Sequence, residues 1–244
     1  MGLLNMRNAL MSGKRTPTAK DYVQDGLVAM WDGIENAGWG IHDANATVWK
    51  DLIRDIDAAY SIASEIPNWG TDCWRSVSSG DGRIFRTIYP DLAGYDGHTV
   101  EIVASKNTAA RGVIIGSYAY SDETGGSAGK NFEWYTSSSF RAFYDAHPDM
   151  VTNANEFPIG VRSYFATVKD GNEYKVIKGN GDVIGTGTGN VQLRGTHCSL
   201  GCDNRTGYMC LNGDICAIRI YSRALTAAEI AAKYAIDKAR FGLP

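Results

Sequence analysis

Asp214-Ile215-Cys216-Ala217-Ile218-Arg219-Ile220-Tyr221 alternates its side chains and runs through Ser222-Arg223-Ala224-Leu225 into Thr226-Ala227-Ala228-Glu229-Ile230. The alternation sends Cys216, Ile218 and Ile220 to one face and Ala217, Arg219 and Tyr221 to the other, the period-two pattern of a half-buried antiparallel strand. A helix start follows. The Thr226 hydroxyl is placed to accept from the Glu229 amide, the Glu229 carboxylate to reach back to the Thr226 amide, and Leu225 and Ile230 to staple the first turn. Ile230, Tyr234 and Phe241, with Ala227 and Ala231, give a narrow apolar stripe, while Lys233, Asp237, Lys238 and Arg240 are expected to face water before Gly242 ends the helix. Such a helix must pack on something.

Upstream, short alternating segments separated by Gly, Asn and Asp turns fill residues 22–221, with no competing helical period over any long window. The expected strands are Leu27–Trp31, Thr99–Ala104, Gly112–Tyr118, Asn131–Tyr135, Phe140–Tyr144, Val161–Val168, Glu173–Ile177, Val191–Leu193, Cys198–Leu200 and Asp214–Tyr221. Asp170-Gly171-Asn172 and Gly179-Asn180-Gly181-Asp182 read as hairpin loops, where glycine accepts a positive φ. So many strands must close or stack to keep an apolar face dry. The expectation is an all-β fold: a two-sheet antiparallel jelly-roll sandwich with a C-terminal helix and a short N-terminal helical arm. At 244 residues, one domain is expected over 22–244, preceded by an arm over 1–21.

Composition is that of an ordinary globular chain, 44% hydrophobic and 21% charged. The net charge of −3, without a basic stripe interleaved with aromatics, argues against nucleic acid. The charge is uneven: residues 1–20 carry Arg7, Lys14, Arg15 and Lys20 and no acid. Leu3, Leu4, Met6, Leu10 and Met11 fall at helical spacing there, so Leu3, Leu4, Arg7, Leu10, Lys14 and Arg15 form a candidate assembly arm, giving a homo-oligomer or virion neighbours as partners. No run nears the roughly 18–20 apolar residues of a membrane span, and no export signal is expected, which places synthesis in the cytoplasm.

Familiar catalytic signatures are missing. Gly185-Thr186-Gly187-Thr188-Gly189 lacks the third glycine of a dinucleotide fingerprint and reads as a surface loop or edge, and Gly125–Lys130 lacks the glycine and hydroxyl of a phosphate loop. Gly-x-Ser-x-Gly occurs only within that same glycine-rich run, as Gly125-Gly126-Ser127-Ala128-Gly129, and His-Glu-x-x-His does not occur. Of five cysteines, Cys198, Cys202, Cys210 and Cys216 cluster without a Cys-x-x-Cys pair, which favours small buried thiols over a disulfide and a disulfide over zinc. Asp203 with Asn204, or Asp43 with Asn45, offers clustered oxygens to calcium; otherwise no cofactor is expected.

Five of six tryptophans lie at Trp31, Trp39, Trp49, Trp69 and Trp74. Sugars stack apolar C–H faces on such rings and need acids or amides at their edges. Trp39, His42, Asp43 and Asn45 share one loop and Trp69 occupies another, making them candidate ligand-binding residues. Tyr120, Trp134, Tyr135 and Arg141 join them if the outer face of one sheet is concave. Trp31 and Trp49 read as structural.

Gly26-Leu27-Val28-Ala29-Met30-Trp31-Asp32-Gly33-Ile34, Trp49-Lys50-Asp51-Leu52, Thr99-Val100-Glu101-Ile102-Val103 and the closing Ile218–Ile230 run resemble laminin-G-like domains of the concanavalin A-like lectin/glucanase superfamily, especially versions from Bacteroidetes and their phages. The resemblance implies a jelly-roll sandwich that binds glycans or protein surfaces, sometimes with calcium at its rim. Glucanases of that superfamily carry Glu-x-Asp-x-x-Glu on one strand, and this chain does not; its nearest pair, Asp32 and Glu35, reads as a turn. The sequence-based expectation is therefore a non-catalytic surface- or carbohydrate-binding module, not an enzyme. A structural virion or tail subunit is the alternative and a glycoside hydrolase the third reading.

Overall fold

A computed structural model describes residues 16–62, 64–77, 84–92, 94–118, 129–134, 139–144, 150–153, 156–188, 197–202 and 209–244. Two antiparallel sheets stack as a sandwich. Strands β1 (Leu27–Asp32), β15 (Gly213–Tyr221), β6 (Gly97–Lys106), β11 (Ser163–Asp170), β12 (Glu173–Lys178) and β13 (Val183–Thr188) follow one another across the first, and β4 (Trp74–Ser76) lies beside the start of β15. The second runs β10 (Met150–Val151), β9 (Phe140–Tyr144), β8 (Gly129–Trp134), β7 (Gly112–Tyr118), β14 (His197–Leu200), β5 (Phe85–Ile88), β3 (Ala58–Tyr60) and β2 (Val48–Trp49). The all-β sandwich read from the sequence is the observed fold. Expected Val191–Leu193 lies outside the described residues.

Both hairpin loops form, with Gly171 at φ 56° and Gly181 at φ 91°. Gly185-Thr186-Gly187-Thr188 belongs to the edge strand β13. Of the strands absent from the expected set, β2 to β5 and β10 have two to four residues each, too few for a period to show, and the six-residue β13 is masked by its alternate glycines.

The main core lies between the sheets and includes Trp31, Trp49, Trp74, Phe85, Ile102, Phe132, Trp134, Phe140, Phe165, Ile218 and Ile220. A second core covers the other face of the seven-stranded sheet, under helix α1 (Ala227–Phe241), and includes Tyr22, Met30, Val103, Tyr164, Ala217, Tyr221, Ile230 and Phe241. β15 is thus buried on both faces, not half-buried. A bulge between Ile215 and Ala217 resets the alternation, so Cys216 joins Ala217 on the helix side instead of following Ile218 and Ile220.

α1 starts as the sequence requires: the Thr226 hydroxyl accepts from the Glu229 amide, and the Glu229 carboxylate accepts from the Thr226 amide at 2.8 Å. Gly242, at φ 64°, closes it by donating to the Lys238 carbonyl. Its polar side corrects the sequence. Lys233, Asp237 and Arg240 are buried and only Lys238 of the four faces water, whereas Ala227 and Ala231 are exposed. The reason is a polar layer within the second core. Arg219 donates to both carboxylate oxygens of Asp237 and to Glu101, Lys233 lies 3.5 Å from Glu101, and Arg240 bridges Asp32 and Glu35.

Among the described residues no helix is long and apolar enough to cross a membrane. Of the cysteines, Cys202 and Cys210 form a disulfide, against the preference for thiols, while Cys73, Cys198 and Cys216 are buried free thiols.

Candidate functional site

Asp32 and Glu35 are held inside the fold. Asp32 Oδ1 accepts from the Ile34 and Glu35 amides and from Arg240, while Glu35 accepts from the Ala19 and Gly40 amides and Arg240. Four carboxylates, Asp32, Glu35, Glu101 and Asp237, meet three cations, Arg219, Lys233 and Arg240, in this layer. Burial outweighs the attraction of Arg240 and pushes the Asp32 carboxyl up to about 6, and its Oδ2 has no hydrogen-bond partner. Because the folded value exceeds the unfolded one, this group's contribution is fully present below about pH 4 and is lost as pH rises towards 6. Asp32→Asn, which keeps the Oδ1 acceptor, should flatten that part of a stability profile measured by urea unfolding; an unchanged slope would refute the assignment.

The outer face of the eight-stranded sheet carries a different arrangement. On β5, Phe85 points into the core, so Arg86 points out, and Ile88, 42% exposed, points out two residues later. Register places Arg86 between Ser199 on β14 and Ala59 on β3, and Ile88 opposite His197. Ala59 is small and exposed, whereas Ser199 is fully buried, its hydroxyl donating to the Gly116 and Cys202 carbonyls. One wall is the loop before β3. Asp51 anchors it by accepting from the Met30, Ile53, Arg54 and Ile56 amides, and the Thr87 hydroxyl donates to the Ile56 carbonyl at 2.8 Å. Asp55 adopts φ 59°, a left-handed conformation that Asp tolerates better than most residues. The result is an open hollow of about 350 Å³ lined by Asp55, Ile56, Asp57, Arg86, Thr87, Ile88 and His197.

Its polar groups are unequal. Asp57 is committed, accepting from Lys50 at 2.5 Å and from the Asp51 amide at 2.9 Å. The side chains of Arg86 and His197 have no hydrogen-bond or ion-pair partner among the described residues. A cation, an imidazole, two carboxyls and an apolar side chain therefore meet in one hollow, suited to a polar ligand with an acidic group and a hydrophobic edge.

The sequence-derived candidates are dispersed. Trp39, 37% exposed with the Lys20 ammonium 5.4 Å above its ring, shares the exposed 38–45 loop with His42, Asp43 and Asn45. Within that loop His42 Nδ1 lies 3.0 Å from the Gly33 carbonyl and Asp43 accepts from the Asn45 amide. Trp69 packs edge-on against Trp49 and donates to the Ala46 carbonyl, and Trp134 is 1% exposed in the main core, so neither lines an open face. Arg141 lies 3.7 Å from Glu133, which Arg111 also holds. Tyr120, Tyr135, the metal candidates Asp203 and Asn204, and the arm residues Leu3, Leu4, Arg7, Leu10, Lys14 and Arg15 lie outside the described residues. Among the described residues no group of three or more His, Cys, Asp and Glu side chains is arranged to hold a metal. Arg86 and His197 were missed because their strand partners are short; the in-out order Phe85-Arg86-Thr87-Ile88 was the available signal.

No protein-family model matches the chain, and no curated protein matches its sequence. Solved structures do. Trypanosoma rangeli sialidase in complex with the inhibitor DANA superposes with a TM-score of 0.61 at 17% identity, over 95% of this chain and 37% of that one. The same sialidase in complex with sialic acid gives 0.60 at 16% identity, over 91% and 34%. The botulinum neurotoxin serotype D ligand binding domain in complex with N-acetylneuraminic acid gives 0.61 at 11% identity, over 86% and 51%. This chain therefore spans about a third to a half of those chains. At such identities the likeness is one of fold, a β-sandwich. It nonetheless corrects the sequence-based reading: with sialidases among the structures sharing the fold, a missing Glu-x-Asp-x-x-Glu run does not exclude an enzyme. By that finding the expectations of a non-catalytic binding module, with a structural virion subunit as its alternative, and of no enzymatic activity are corrected.

Proposed function

We propose that this chain serves glycoside hydrolysis of glycans bearing an acidic sugar, with the sugar seated in the hollow over Arg86. The observation that carries this is the Arg86 guanidinium, without a hydrogen-bond or ion-pair partner among the described residues, lining one hollow with His197, Asp55 and Ile88. A guanidinium pairs with a sugar carboxylate through two parallel hydrogen bonds, His197 and Asp55 serve ring hydroxyls, and Ile88 covers an apolar edge. Sialidase and toxin-domain structures bound to sialic acid or its analogues, which share the fold, favour an acidic sugar over a neutral one. Hydrolysis also needs carboxyl groups beside the scissile bond, one to protonate the leaving oxygen. Asp55 and Asp57 on the rim are the candidates; Asp57 is fixed by Lys50, and the Asp55 carboxylate has no hydrogen-bond partner among the described residues.

The sandwich itself is, in this reading, of the laminin-G-like, concanavalin A-like kind; the capped Ile218–Ile230 junction supports that assignment. The test is turnover of a fluorogenic sialoside by the purified protein. Arg86→Ala is expected to lower kcat/KM about a hundredfold, and Arg86→Lys less, because a point charge replaces a bidentate fork. Absence of turnover on sialosides and neutral glycosides alike would remove the proposal.

A further inference from the structure

Cys73 and Cys216 are brought together from distant parts of the chain. Cys73 immediately precedes β4, and Cys216 is the residue at the β15 bulge. Both thiols are buried in the second core, and Ile215 pairs with Trp74 in the β4–β15 ladder, so Cys216 and Cys73 are the next residues along it and share one face. The surrounding backbone is tight. The Gly33 amide donates to the Cys216 carbonyl at 2.7 Å, the Gly70 amide donates to the Cys73 carbonyl at 2.8 Å, and a Cβ on Gly33 would come within 2.8 Å of the Cys73 Cα.

We propose that Cys73 and Cys216 are an oxidative cross-linking site that joins the start of β4 to the central strand β15. Arg162 sits at the approach to the pair: it lines a cavity of about 310 Å³ beside the end of α1, and its Nη2 lies 3.7 Å from Cys73 Sγ. The oxidant is a small-molecule disulfide such as oxidised glutathione. The Cys73 thiolate attacks one of its sulfurs and expels a thiolate. Cys216, deprotonated in turn, then attacks Cys73 Sγ and expels the second small thiolate. Two protein thiols lose two protons and two electrons; one small disulfide becomes two thiols.

The cross-link spans about 140 residues, so it strongly restricts the unfolded chain. Incubation of the purified protein with oxidised glutathione, followed by alkylation in denaturant and non-reducing peptide mapping, should yield one new peptide pair joining Cys73 to Cys216. Cys198, buried without a thiol partner, should be alkylated under the same conditions and serves as the internal control. The oxidised protein should gain about 10 °C in its unfolding midpoint, a gain that Cys73→Ala abolishes while the Cys202–Cys210 bridge persists. Alkylation of both Cys73 and Cys216 after oxidation would overturn the proposal, as would pairing of either with Cys198.

Discussion

Asp237→Ala is expected to destabilise the protein by about 3–5 kcal/mol, read as a fall in urea midpoint at unchanged slope. Asp237 sits on α1 with no exposed surface, accepting from Arg219 Nη1 at 3.1 Å, Arg219 Nη2 at 2.5 Å and the Tyr22 hydroxyl at 2.5 Å. Its removal leaves the Arg219 guanidinium, itself without exposed surface, with Glu101 as its remaining carboxylate partner and Tyr22 with an unpaired hydroxyl. The cost comes chiefly from those stranded groups, since the intact pair already spends most of its Coulomb gain on desolvation. Two comparisons separate the effects. Asp237→Asn, which keeps an acceptor for Tyr22, should cost less than Ala, whereas Arg219→Met combined with Asp237→Leu should be less destabilising than Asp237→Ala alone. A loss below about 1 kcal/mol for Asp237→Ala would mean that water or another group replaces the carboxylate.

That polar layer marks where sequence reading stopped. Lys233, Asp237 and Arg240 on a helix with apolar Ile230, Tyr234 and Phe241 look like a wet face, because amphipathic patterns distinguish charge from apolar surface and say nothing of charges facing each other. Only the positions of Glu101 and Arg219 on β6 and β15, fixed in register opposite one another, show that the charges have partners inside. The capping box, both glycine hairpins and most long strands needed no such information, since each is set by residues within a few positions. The hollow is the opposite case. It depends on Asp55 from the loop before β3, Arg86 on β5 and His197 on β14 meeting, the last more than a hundred residues further along the chain. The cysteines show the same limit: linear spacing gave no hint that Cys73 and Cys216 fall side by side where β4 meets β15.

Phe85→Ala should be about as damaging, at about 3–5 kcal/mol, and its consequence reaches the proposed site. The Phe85 ring stands 5.8 Å from Trp49, 5.2 Å from Tyr60, 5.5 Å from Trp69 and 5.1 Å from Trp74, mostly edge-on or tilted. This hub accounts for the crowding of tryptophans in the first third of the chain better than sugar stacking does. Trp49, Trp69 and Trp74 come from weak two- or three-residue strands and a loop, and their shared contact with one ring supplies the cohesion those short ladders lack. Truncation to alanine opens a cavity among four rings that are bonded to separate segments and unable to close it together. Phe85→Leu fills most of that volume and should cost less than about 2 kcal/mol. Because Arg86 is held by the same strand, the leucine variant should retain sialoside turnover, while the alanine variant should lose it at temperatures where its spectrum still reports a folded sandwich. Equal turnover in both variants would show that the floor of the hollow is held by β14 and β3 without help from the aromatic hub.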